Sequence, residues 1–139
     1  MGYIGLIAFF IVAALLLVWI SNAYPDAEQK FVREIYNRES VSDSEMISRY
    51  FAGDDISPDV PIQVRQALAS QTGYPADKLL PDDDLAFFAD EFDTIPLVRE
   101  LESRFGITIA DEDSERTACN IRAISLLIAS NAGLANRSN

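Results

Sequence analysis

The chain contains no histidine, one cysteine at position 119, and half as many basic as acidic side chains, 11 against 22. Without an imidazole there is no Ser/His or Cys/His nucleophile pair and no side chain that titrates near neutrality by default. One cysteine can neither close an internal disulfide nor build a thiolate metal cage. Set among Thr117, Ala118 and Ile121, Cys119 reads as a small semi-buried core residue rather than a nucleophile. A formal charge of −11 repels phosphate backbones and removes the main driving term for nucleic-acid binding. A partner guided by charge should therefore be basic. With 139 residues there is room for one small domain and an appendage, not for a doubly wound nucleotide fold or a large barrel.

Charge is missing altogether from residues 1–24, and Tyr3 to Ile20 is an almost unbroken run of Ile, Leu, Phe, Val and Ala. About 20 such residues, at ~1.5 Å each, span a ~30 Å hydrocarbon layer. The expectation is a transmembrane helix over 1–24, in contact with the lipid bilayer, with Tyr3, Trp19 and Tyr24 at its two ends where amphipathic rings favour the headgroup zone. The rival is a cleaved signal peptide, for which Ser21-Asn22-Ala23 is a loose small-x-small site. Against it, no Lys or Arg precedes the apolar run, and the run is longer than an ordinary signal core. The nearest basic residues, Lys30, Arg33 and Arg38, all follow the span. Basic flanks stay on the cytoplasmic side, so the expected topology is single-pass in the inner (cytoplasmic) membrane with the C-terminal domain in the cytoplasm.

Four regions are expected beyond this: the membrane helix over 1–24, a juxtamembrane helical linker over 25–56, a helical domain over 57–130 and a flexible tail over 131–139. In the linker, Ala27, Phe31, Val32, Ile35 and Tyr36 fall at helical spacing after Pro25, where the expectation is either a new amphipathic helix or a continuation of the span past a kink. Ser42-Asp43-Ser44-Glu45 forms a capping box before Met46, Ile47, Tyr50 and Phe51. In the domain, a helix capped by Ser57 with Pro58 at its first position carries Val60, Val64, Ala67 and Leu68 on one face and ends by Gly73. A long loop from Tyr74 to about Phe92 follows, broken by Pro75 and Pro81. The next helix carries Leu97, Val98, Leu101 and Phe105 and stops at Gly106, and a last one, capped by Asn120, carries Ile121, Ile124, Leu127 and Ile128. Strand signals are nearly absent, so the fold class is all-α: a small helical bundle behind a single membrane helix.

The run from Ala89 to Asp113 resembles the second-helix region of acyl carrier proteins. There, an Asp-Ser-Leu triplet opens the helix, and a Leu-Val, then Leu-Glu-x-x-Phe-Gly-Ile-x-Ile pattern and an acidic turn follow. Here the corresponding residues are Asp90-Glu91-Phe92, Leu97-Val98, Leu101-Glu102-Ser103-Arg104-Phe105-Gly106-Ile107-Thr108-Ile109 and Asp111-Glu112-Asp113, without a gap. The likeness extends over roughly Val60 to Ser130. A generic amphipathic helix shares the Leu and Phe spacing, but not the Gly-Ile-Thr-Ile and the acidic turn as well.

The resemblance implies a carrier whose serine bears a 4′-phosphopantetheine arm, and at that position this chain has Glu91. No serine occurs between Gln71 and Glu102. The expectation is that the prosthetic-group position is degenerate, that no cofactor is bound, and that the chain is not an enzyme but a membrane-anchored interaction module. The alternative is a working carrier modified at another hydroxyl, Thr94 being nearest, that supports membrane-associated acyl or lipid chemistry. Asp82, Asp83, Asp84, Asp90, Glu91 and Asp93 place six carboxylates in twelve residues with no cation between them. They are the candidate docking residues for a basic surface of a membrane-associated protein or enzyme. The competing reading is that acids near a helix start suit its dipole and solvate a loop. Neither they nor Asp111 to Glu115 have the spacing of a calcium loop, and no metal site is expected.

Overall fold

The computed structural model describes residues 2–23, 27–85 and 94–137. Within them lie seven α-helices and no strand: α1 (Gly2–Ala23), α2 (Ala27–Asn37), α3 (Asp43–Tyr50), α4 (Asp59–Thr72), α5 (Thr94–Phe105), α6 (Asp111–Arg116) and α7 (Ile121–Arg137), with a 3₁₀ turn at Ala76–Lys78. The chain forms two compact units, Met1–Asn37 and Arg38–Asn139.

In the first unit, Tyr3–Ser21 is long and apolar enough to cross a membrane, and none of it is buried. Tyr3 is 84% and Trp19 69% exposed. A bare apolar helix of this kind suits either a membrane anchor or a signal sequence. The α2 helix is strongly two-faced, with Phe31 and Val32 half-buried, Ile35 buried and Arg33 and Glu34 exposed. Pro25, where a kink was expected, lies outside the described residues.

The second unit starts earlier than composition indicates. Residues 38–56, expected as linker, contribute Val41, Met46 and Phe51 to its core. The reason is polar as well as apolar: Val41 N donates to Asp77 O (2.8 Å), and Val41 O accepts from Arg65 on α4. Ser42 caps α3 as expected, its Oγ accepting from Glu45 N (3.2 Å). At the start of α4 the reading differs. Pro58, not Ser57, takes the N-cap position, already in helical conformation and with no side-chain cap bond, and the Ser57 carbonyl accepts from Val60 N (3.0 Å).

Two helices stop where glycine permits left-handed backbone. Gly73 (φ 79°) closes α4 by donating to Ala69 O. Gly106 (φ 62°) closes α5, where Ile107 N reaches back to Glu102 O, a six-to-one bond that uses a carbonyl otherwise orphaned at the helix end. The Glu102 carboxylate then accepts from Ile109 N (2.8 Å), aligning 107–110 for α6. Asn120 caps α7 with its Oδ1 on Ala123 N (2.7 Å). Replacing it in Asn120→Ala should cost about 1 kcal/mol in a denaturant titration without moving the fold. The tail does not begin at 131: α7 runs on to Arg137, in keeping with the helix propensity of Ala132 and Ala135.

Helix α4 is the centre of this unit, packed against α7, α5 and the 3₁₀ turn. Val64, Ala67 and Leu68 meet a core that includes Leu97, Leu101, Ile121, Ile124 and Ile128, with Leu79 and Leu85 from the long loop. Each such aliphatic side chain adds roughly 1.5–3 kcal/mol by leaving water. Val98, Phe105 and Leu127, expected in this core, are only half-buried.

Candidate functional site

The acidic loop is held by cations that are distant in sequence. Asp83 Oδ2 accepts from Arg38 Nη1 (2.7 Å) and from Leu80 N (2.7 Å), and its side chain is 12% exposed. Arg38 Nη1 also donates to Lys78 O (3.1 Å), and Lys78 Nζ donates in return to Arg38 O. Asp82 receives Arg122 through Nε (2.7 Å) and Nη2 (3.2 Å). Arg122 Nη1 in addition reaches Tyr50 O and Asp54, and the guanidinium lies 5.1 Å from the centre of the Phe51 ring. The hydrogen bonds it donates to Asp82 hold the guanidinium pKa above its ordinary value.

So the three aspartates that look equivalent in sequence are not. Asp83 is a structural anchor, Asp82 is an exposed carboxylate in an ion pair, and Asp84 is exposed. Asp90, Glu91 and Asp93 lie outside the described residues. Two backbone bonds fix where the loop sits: Leu85 N to Cys119 O (3.0 Å) and Arg122 N to Pro81 O (3.1 Å). The loop is thereby stitched to the turn before α7 and to the first turn of that helix.

Beside this stitch is an apolar cavity of about 450 Å³ between α5, α6 and α7. Leu97, Leu101, Ile109 and Ile124 are its buried lining, and the exposed Thr94, Glu115 and Ala118 stand at its edge. Size and lining fall within the range of small ligand pockets. Cys119 lines it too, half-buried. Burial, and then the charge of Asp84, push its thiol pKa up, which disfavours the reactive thiolate. Sequence spacing placed Leu97, Leu101 and Ile124 correctly indoors, but could not show that they leave a space between them. Nor did it pair Arg38 or Arg122 with the acidic loop.

A further cation, on α4, is buried. Arg65 is 1% exposed; its Nε donates to Ala76 O, its Nη2 to Val41 O (2.6 Å) and its Nη1 to Asp43 (3.2 Å). Burial lowers its pKa and Asp43 opposes that shift. Among the described residues no three carboxylate or thiol groups converge in a metal-binding arrangement.

The chain is 34% identical over 70 residues to an acyl carrier protein of Chlorobium phaeobacteroides, an alignment covering 48% of this chain and 87% of that protein. No protein-family model matches, and no solved structure does.

Proposed function

The chain belongs to the acyl carrier protein family, and from that premise we propose that it is a membrane-tethered member that works by docking rather than by carrying a covalent cargo. The observation that carries the reading is Glu91, which stands where the family pattern has the serine of Asp-Ser-Leu, with no serine from Gln71 to Glu102 to replace it. A carboxylate that attacked phosphorus would give a mixed anhydride open to hydrolysis, not the stable phosphodiester of a serine.

Helix α1 supports the second half of the reading. In this proposal it stays in the inner membrane, with the second unit on the cytoplasmic side. Tethering raises the domain's effective concentration for any partner at the same surface. The docking face is acidic and takes a basic surface of a membrane-associated protein. Asp82 and Asp84 present exposed charge on a braced loop, and Asp90, Glu91 and Asp93 continue it in sequence. Asp83, turned inward on Arg38, serves this face by shaping it.

The test has two arms. Intact mass after incubation of the full chain with coenzyme A and a broad-range phosphopantetheinyl transferase is expected to show no gain. In native membranes, reversing Asp90, Glu91 and Asp93 together to lysine is expected to reduce crosslinked partner at least five-fold and to flatten its dependence on salt. Capture that ignores both charge and salt removes electrostatics from the proposal. A second reading has one observation in its favour: Thr94 is exposed at the first position of α5, so a hydroxyl is available near the expected attachment point. A mass gain mapped to Thr94 would establish it.

A further inference from the structure

The cavity beside the acidic loop has features that a docking face alone does not need. Its lining is aliphatic, yet its edge carries Glu115, and Asp84 is near enough to act on Cys119 inside it. Helix α6, which contributes Ser114 and Glu115 to the cavity, also carries Asp111, Glu112 and Asp113, against the single cation Arg116. A carboxylate amphiphile brought to this edge meets charge of its own sign. A cationic amphiphile meets attraction at the edge and apolar surface behind it. A cavity of about 450 Å³ also has room for one large apolar side chain.

The geometry points to an anchor pocket: an apolar side chain on a basic amphipathic segment of the partner protein enters the space between α5, α6 and α7, while that segment's lysines or arginines meet Glu115 and the acidic loop. This deepens the docking proposal above and rests on it. A buried apolar anchor surrounded by charged contacts is how small interfaces concentrate their affinity, and the charges set approach and register.

The probe is a synthetic 18-residue Leu/Lys amphipathic peptide with one photoreactive leucine on its apolar face, added to the full chain in phosphatidylcholine nanodiscs. Adducts are mapped by tryptic mass spectrometry. They are expected to concentrate on residues 94–101 and 114–127. Glu115→Lys should lower their yield about five-fold, and 0.5 M salt should do the same. Ala118→Phe fills the edge from an exposed position, so the fold should survive; it should lower the yield about ten-fold. Far-UV circular dichroism checks each variant. Adducts that persist in Ala118→Phe, or that fall outside these residues, overturn the anchor while leaving charge-guided docking intact. Displacement of the peptide by decanoate at lower concentration than by a Leu/Lys competitor also overturns it, because the pocket then prefers a free acyl chain. Failure of the docking reading is recognised separately, by phosphopantetheine loading of the unmodified chain.

Discussion

Arg65→Ala should lower the stability of the Arg38–Asn139 unit by about 3 kcal/mol, the largest loss expected from a single side chain here. Two effects add. Val41 O and Ala76 O lose the donor that satisfies them, and an unpaired buried acceptor costs about 1–3 kcal/mol. A large side chain that is 1% exposed also vanishes from a packed interior, leaving a cavity. For a unit of about this size, the midpoint of thermal unfolding should fall by roughly 12 to 24 °C. The ion pair is the minor part. Asp43 is 48% exposed, so Asp43→Asn should shift stability by no more than about 1 kcal/mol. Arg65→Lys should fall between the two, because an ammonium cannot spread donors over carbonyls on two sides as a guanidinium does. A denaturant titration placing Arg65→Ala within about 0.5 kcal/mol of the unmodified chain would show that this clasp contributes little.

On the proposed reading, in which the unmodified chain takes up no phosphopantetheine, Glu91→Ser should take up a single equivalent. The expected change is from nothing to near-complete loading, read as intact mass after the same coenzyme A and transferase incubation. The variant supplies the hydroxyl that the family pattern places between Asp90 and the next apolar residue, here Phe92, and leaves the rest of the run unchanged. Thr94→Ala made alongside separates the two hydroxyl positions: loading of Glu91→Ser should not depend on it. If Glu91→Ser stays unloaded while a genuine carrier in the same tube is modified, then Glu91 does not mark the attachment position and the argument from its substitution fails.

Much of the helical skeleton was legible because its signals are local. Capping residues at Ser42 and Asn120, glycines at 73 and 106, and apolar spacing over 60–68, 97–105 and 121–128 each depend on a few neighbouring residues. What was not legible is what the chain brings together from afar. Asp83 lies 45 residues from Arg38, and Asp82 lies 40 from Arg122; along the sequence the carboxylates look unaccompanied. The second unit's beginning at Arg38 was hidden for the same reason, since the bonds that recruit Val41 come from Arg65 and Asp77. One clue did exist. Pro61, Val64, Arg65 and Leu68 share one helical stripe and all are buried, so a lone cation on an otherwise apolar stripe was the mark of an internal partner. The cavity gave no such clue, because spacing tells which side chains point inward and not whether they meet.

The two backbone bonds that fasten residues 81–85 to Cys119 and to the first turn of α7 have a kinetic and entropic meaning as well as a structural one. A loop that must settle each time it is touched loses conformational freedom at every encounter, which weakens binding and slows commitment. Here that freedom was surrendered once, at folding, and in the proposed docking face Asp82 and Asp84 stand as a preorganised pair, braced by Asp83, rather than as a cloud of charge.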